Sequence, residues 1–311
     1  MKLISVVTPC YNEEANVEEI HKQVKAIFAE IPNYRYEHIF IDNASTDNTV
    51  AILRKIAEQD PYTKIIVNAR NFGHIRSPYH AILETNGDAT ILIVADLQDP
   101  PTMIKEFIKK WEEGYKIVVG VKPESQESKL MFTIRRAYYN FVTRIADVKL
   151  IKNFTGFGLY DKEVVNILRN YKDPYPYFRG LIAEIGLEIA EVPYNQPRRA
   201  RGVTKNNFYS LYDMAMLGIT SHSKIPLRLA TMAGFSLSLL SFLISCVFFI
   251  LKLLFWNSFN LGVAPILIGL FFFSSIQLFF IGLLGEYIAS IHTRVIKRPL
   301  VVEKERINFS Q

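Results

Sequence analysis

The sequence predicts an α/β protein: a mostly parallel sheet with crossover helices, followed by an interfacial helix and two transmembrane helices. Three observations carry this. Short β-branched runs alternate with helix-patterned segments over residues 1 to about 200. Those runs are apolar throughout, as strands covered on both faces are. Two uncharged segments, Leu229–Leu251 and Leu261–Gly285, each exceed the roughly 20 residues that cross a bilayer.

Taken in order, "LISVVTP" reads as a first strand and "EEANVEEIHKQVKAIFAEI" as its helix. "YEHIFID" and "NTVAILRKIAEQ" repeat the pair, followed by the strand "KIIVNA" and a helix near Pro78–Glu84. Then come "ATILIVA", a helix from Pro100 to Trp111, and the strand "YKIVVGV". The segment "NNFYSLYDMAMLGITSH" carries aromatic and aliphatic residues beside a basic cluster and reads as a helix lying in the membrane interface. Packing of the same helix on the soluble domain is compatible with that reading. The expected organisation is an α/β domain over 1–205, a juxtamembrane amphipathic helix over 206–226, a two-helix hairpin over 227–292 and a tail over 293–311.

Two uncharged runs of this length argue against a pair of buried core helices. Arg198, Arg199, Arg201, Lys205, Lys224 and Arg228 precede the first run; Arg294, Lys297, Arg298, Lys304 and Arg306 follow the second. Between them stand Lys252 and, as an interfacial anchor, Trp256. The positive-inside rule puts both termini in the cytoplasm. "MKLISVVTP" reads as a strand, not a signal peptide. The net charge of +6 suits a protein lying against anionic lipid. It does not imply nucleic acid, because the basic residues cluster beside the spans and no nucleic-acid motif occurs. The two cysteines, Cys10 and Cys246, fall in the α/β part and inside the first span, so neither a disulfide nor a metal spacing is expected.

Ligands of a parallel sheet bind at the carboxyl ends of its strands. Here those ends read "PCYNEE", "DNASTDNT", "ARNFG" and "DLQDPP". Several of their polar residues have structural work available. Asn12 can cap the first helix, Asp47 the second, and Asp99 before Pro100 makes a good N-cap. Asp42 and Asp96 end apolar strands with no helix at the next residue, so function is the expectation for both. There is no Walker A loop and no G-x-G-x-x-G. A bound diphosphate would therefore be met by arginines and lysines or by a metal. Asp96 with Gln98 suits a hard divalent cation that also binds phosphate oxygens.

The ordered set "SVVTPCYNEEANV", "IDNASTDNT", "ARNFG", "VADLQDPP", "FTGFGLYDKEVV" and "RRARGVTK" resembles family 2 glycosyltransferases. Within them it is similar to the polyprenyl-phosphate sugar transferases, over nearly the whole chain. The resemblance implies a glycosyltransferase-A-like (Rossmann-like) domain and inverting transfer of one sugar, glucose as the common case. The donor would be a UDP-sugar and the acceptor undecaprenyl phosphate, at the cytoplasmic face of a bacterial inner membrane. The product would serve cell-surface glycan modification. The resemblance assigns donor nucleotide binding to Pro9, Tyr11, Glu13, Asp42, Asn71, Ala95 and Asp96. Asp96 and Gln98 would hold Mg²⁺ or Mn²⁺. Arg135, Arg136, Arg198 and Lys205 would meet the acceptor phosphate, and Asp96, Arg135, Arg201 and Lys205 would act in catalysis. Relatives also suggest a homo-oligomer.

Some positions depart from the family pattern. Val94 stands where a first acid of D-A-D is usual, Asn43 replaces an acid of "DDGS", and "FTGFGLYD" lacks a further carboxylate. "HIRSPYH" brings in His74, Arg76 and His80, for which ordinary packing is the simpler reading. Glu184 is a candidate compensating carboxylate. The losses motivate one alternative, a catalytically impaired membrane scaffold or flippase partner of the same fold. A processive polysaccharide synthase would need a Q-x-x-R-W segment and further spans, and the sequence has neither.

Overall fold

A computed structural model describes residues 1–122, 151, 153–197, 216–217, 220, 223, 225–255, 263–296 and 298–309. The chain runs β1 (Lys2–Cys10), α1 (Val17–Glu30), β2 (Tyr34–Asp42), α2 (Thr49–Gln59), β3 (Thr63–Asn68), α3 (Gly73–Leu83), β4 (Ala89–Leu92), α4 (Met103–Glu112) and β5 (Ile117–Val121). It continues with β6 (Phe154–Asp161), α5 (Lys162–Tyr171), α6 (Phe178–Glu184), β7 (Ile189–Pro193), α7 (Ile225–Leu254), α8 (Val263–Val295) and β8 (Glu303–Ile307).

The strands form one eight-stranded sheet in the order β7-β5-β6-β4-β1-β2-β3-β8. β1 pairs in parallel with β2 and β4, and β2 with β3. β6 runs antiparallel between β4 and β5, and β8 runs antiparallel along β3. The continuous apolar runs follow from burial on both faces. On one face Ile4, Val6 and Phe40 join Ile20, Leu53 and Phe107 of α1, α2 and α4. On the other, Val7, Ile39 and Ile41 join Tyr79, Ile82 and Val165 of α3 and α5. Successive residues of β1 thus serve opposite cores, as the period of two dictates.

Three boundaries differ from the sequence reading. α3 begins at Gly73, five residues before Pro78, because Asn71 Oδ1 accepts the Gly73 N–H at 2.8 Å and starts the helix early. α4 begins at Met103 and not at Pro100, with Thr102 before it. α8 continues ten residues beyond the uncharged run. There the Tyr287 hydroxyl donates to the Ser223 carbonyl at 2.9 Å, and Arg294 comes within 3.9 Å of Asp173.

The tail was expected as a cytoplasmic extension, and β8 in it was not anticipated. It covers the β3 edge, an otherwise open row of backbone groups. Ala69 N–H donates to Val302 O at 2.8 Å, Arg306 pairs with Glu84 at 2.7 Å, and Arg54 pairs with Glu305. His80 pairs with Glu303, which gives one of the unusual histidines a docking partner.

Candidate functional site

Four parallel strands end on one edge, and Cys10 of β1 stands in register with Asp42 of β2. This edge gathers Pro9, Tyr11, Glu13, Asp42, Asn71, Ala95, Asp96 and Gln98, with the 69–73 loop after β3 and the 93–99 segment after β4. Arg135, Arg136, Arg198, Arg201 and Lys205 lie outside the described residues.

The first two loops are laced together. Asn12, at a backbone φ of 54°, donates its N–H to Ser45 Oγ at 2.8 Å and accepts the Thr46 N–H on Oδ1 at 2.8 Å. Glu13 N–H reaches Thr49 Oγ1 at 2.9 Å, and Glu14 accepts the Asn48 N–H at 3.0 Å. Asn12 therefore bridges loops and does not cap α1, whose flanking residue is Asn16. Asp47 does meet α2, accepting the Thr49 N–H at 3.0 Å. Asp42 is fully buried; it accepts the Ser45 N–H at 2.9 Å and the Ser45 hydroxyl. Burial pushes its carboxyl above the usual range, against those two hydrogen bonds.

Asn43 fastens the next loop. Its Nδ2 donates to Asn71 Oδ1 at 2.9 Å and to Gly73 O at 3.1 Å. Its Oδ1 accepts from Phe72 N at 2.9 Å and Asn68 Nδ2 at 3.1 Å. An aspartate could not donate to Asn71 and Gly73. The loss of the customary acid is thus matched by a loop built around an amide. Asn71, expected at the donor, also has a structural role in this network.

At the third corner Asp96 Oδ1 accepts the Gln98 N–H at 3.1 Å across Leu97, whose φ of 60° is unusual for a branched side chain. Val94 is half-buried and offers no oxygen. Asp99 is buried and accepts the Tyr194 hydroxyl at 2.7 Å, so it ties β4 to the segment after β7. That overturns its reading as the α4 cap. Burial lifts its carboxyl to about 6, against the Tyr194 hydrogen bond.

Among the described residues no three His, Cys, Asp or Glu side chains come together as a metal cage. The Asp96–Gln98 pair fits a smaller demand, a divalent cation that completes its shell with water and phosphate oxygens. Glu184 ends α6 near Tyr171, whose hydroxyl burial and the Glu184 charge push upward.

The rim beside α8 carries features the sequence reading did not find. A cavity of about 110 Å³ lies between Tyr175, Leu217, Thr220 and the α8 residues Glu286, Ser290 and Arg294. The Arg76 guanidinium stands over the Tyr175 ring at 5.2 Å. Asn43, Ser45 and Tyr194 were likewise not identified as supports. The one sequence signal was Asn43 itself, as a departure from pattern.

A mixed sheet with an antiparallel strand beside β4, and with acids where β2 and β4 end, is a glycosyltransferase-A-like arrangement. The sequence model of the family described as glycosyl transferase family 2 matches residues 5–171. The chain belongs to that family and is a glycosyltransferase. Among its relatives, the bactoprenol glucosyl transferase of Shigella phage SfII is 32% identical over 303 residues, 97% of each chain. The uncharacterized glycosyltransferase YkcC of Bacillus subtilis strain 168 is 33% identical over 300 residues, 96% of this chain and 92% of its own length. A crystal structure of a mycobacterial protein matches the fold with a TM-score of 0.50 at 16% identity, covering 70% of this chain and 73% of that one.

Proposed function

We propose that this glycosyltransferase moves one sugar, glucose, from a UDP-sugar to undecaprenyl phosphate with inversion. The observation that carries the reading is the pairing of an acid-bearing strand edge with two membrane-length helices in one chain. Those helices match Ile225–Leu251 and Gly269–Val295, and their large apolar side chains, Phe235, Phe249, Phe271 and Phe279 among them, are exposed. An exposed apolar surface of this length supports a lipid covering. The bactoprenol glucosyl transferase relatives match this chain nearly end to end and support the lipid acceptor.

The tail supports a hairpin whose two ends lie on one side of the membrane. β8 belongs to the same sheet as β1, so the chain returns after α8 to the side from which it entered α7. A hairpin with both ends in the cytoplasm satisfies this and agrees with the flanking arginines and lysines.

The chemistry asks little proton transfer of the protein. A phosphate monoester has its second pKa near 6, so the acceptor is already an anion at neutral pH. Its oxygen forms a bond to the anomeric carbon as the opposite bond to UDP breaks, and the electron pair leaves with UDP. The protein's task is alignment and exclusion of water. Asp42 and the laced loops would hold the nucleoside, and Asp96 with Gln98 would hold Mg²⁺ or Mn²⁺. Such an ion supplies positive charge to the departing diphosphate.

The test uses the full purified chain, undecaprenyl phosphate and a panel of UDP-sugars, with Mg²⁺ or Mn²⁺ and with EDTA. One donor should give a metal-dependent lipid-linked sugar. Asp96→Asn should cut kcat/KM on the order of 10²–10³-fold, the usual loss for a group that stabilises developing charge. Absence of product from every donor would overturn the reading and favour the scaffold or flippase-partner alternative.

A further inference from the structure

Arg76 stands out among the arginines of its helical layer. Each nitrogen of Arg169 has an acceptor: its guanidinium donates to Leu83 O, Thr85 O and Asn166 Oδ1. Arg306 is clamped by Glu84 and Glu303. Arg76 Nε is buried with no hydrogen-bond partner, and no carboxylate among the described residues pairs with its guanidinium. Stacking over Tyr175 orients the group but supplies no acceptor oxygen. Buried donors left unmade are costly, and each one calls for an occupant or a reason.

The position says where the occupant comes from. Arg76 lies in the first turn of α3, at the carboxyl edge of the sheet. Its neighbour Ser77 accepts from Asn68 Nδ2 at 3.0 Å, and the same amide holds Asn43, the centre of the loop network. On its other side, Tyr175 lines the cavity against Thr220, Glu286 and Arg294. Arg76 thus stands between the nucleotide edge and the end of the second membrane-length helix. The helix terminus itself is not the site, because Asn43 and Asn71 already satisfy the Phe72 and Gly73 N–H groups.

We propose that Arg76 binds a substrate phosphate at this rim, its planar fork of N–H donors matching two phosphate oxygens. The inference rests on the sugar-transfer reading above. The phosphate belongs either to the UDP-sugar diphosphate or to the lipid acceptor.

The experiment compares the full chain in neutral-lipid nanodiscs with its Arg76→Gln and Arg76→Lys variants. UDP binding is read by calorimetry, and undecaprenyl phosphate binding by titration into the discs. Arg76→Gln should weaken one ligand at least tenfold and leave the other within twofold, at an unchanged or higher melting temperature. Arg76→Lys should recover part of the loss, as a point charge without the fork. A loss for UDP assigns the donor diphosphate; a loss for undecaprenyl phosphate assigns the acceptor. Both affinities within twofold of wild type would overturn the assignment. So would a parallel fall in both ligands with a lowered melting temperature, which marks structural damage. If Arg76→Gln does not fold, Arg76→Lys decides alone, with a loss of threefold or more in one ligand as the supporting result. A wild type that binds neither ligand overturns the transferase reading itself, whereas wild-type binding with an indifferent Arg76→Gln overturns the Arg76 assignment only.

Discussion

At the amino-terminal end of the central strands, buried acids meet cations. Glu37 accepts from Lys64 at 2.6 Å as well as from Ser5, and Asp60 accepts from Lys25 at 2.9 Å. Burial works to raise the Asp60 carboxyl, but the Lys25 hydrogen bond and the Tyr62 N–H outweigh it and hold it below the usual range. At the carboxyl end Asp42 and Asp99 accept from neutral donors instead: a serine hydroxyl and amide at Asp42, a tyrosine hydroxyl at Asp99. Burial lifts both carboxyls. One sheet therefore carries two kinds of acid. Those below are neutralised within the fold and hold it together. Asp42 and Asp99 above are held by hydroxyl and amide hydrogen bonds, with no side-chain ion pair among the described residues like those of Glu37 and Asp60.

The largest way to break this contrast is Lys64→Met, which strands Glu37 without its cation. It should cost roughly 3 kcal/mol of stability, the order seen when one partner of a buried pair is removed. Denaturant unfolding of the purified chain measures this. UDP affinity should stay within twofold; a parallel loss of UDP binding would show that the two ends of the sheet are not separable.

Asn43→Asp sharpens the contrast at the upper edge. It restores an acid but sets carboxylate oxygens against Asn71 Oδ1 and Gly73 O. Two lost donors and a buried charge should weaken UDP about tenfold, within the 1–3 kcal/mol of an unsatisfied buried group. Calorimetry reads the affinity. Tighter UDP binding by this variant would mean that the acid, not the loop geometry, governs the site.

The smallest effect is a pH dependence of the lower layer. His38 is fully buried against Thr8 at 2.9 Å, and desolvation, then the neighbouring His21 ring, push its pKa well below the free value. The unfolded chain takes up a proton near pH 6.5 while the native His38 does not. The unfolded state then binds more protons, so stability falls as pH drops from 7 toward the native pKa. Between pH 7 and pH 6 this one group should cost about 0.7 kcal/mol. Melting temperatures across that range should show the decline, and His38→Gln, an amide that does not titrate, should flatten it. An unchanged slope in the variant would assign the acid sensitivity elsewhere.

Legibility in the sequence tracked locality. The five parallel-type strands from "LISVVTP" to "YKIVVGV" are self-contained apolar runs, and each appears as a strand. The helix-forming uncharged segments were equally visible, because one residue type filling a whole window needs no partner to be recognised. β8 was not visible. "EKERI" is charged and alternating, and only the open edge of β3 makes it a strand. The Asp99 reading failed for the same kind of reason. Asp-Pro is a good local cap, but Tyr194, 95 positions away, offers a buried hydroxyl and takes the carboxylate.

The sequence by itself therefore determined the α/β class, the two membrane-length helices and the edge on which the acids gather. All three follow from periodicity and composition, which act over a few residues. The tertiary structure alone decided that Asn43 would build a loop, that the tail would cover the sheet edge, and that the half-buried Arg76 would stand over Tyr175 with its Nε lacking an acceptor. Those outcomes depend on which distant groups meet in a low-dielectric interior. There an unmade hydrogen bond is expensive, and the choice of partner is not written in any local pattern.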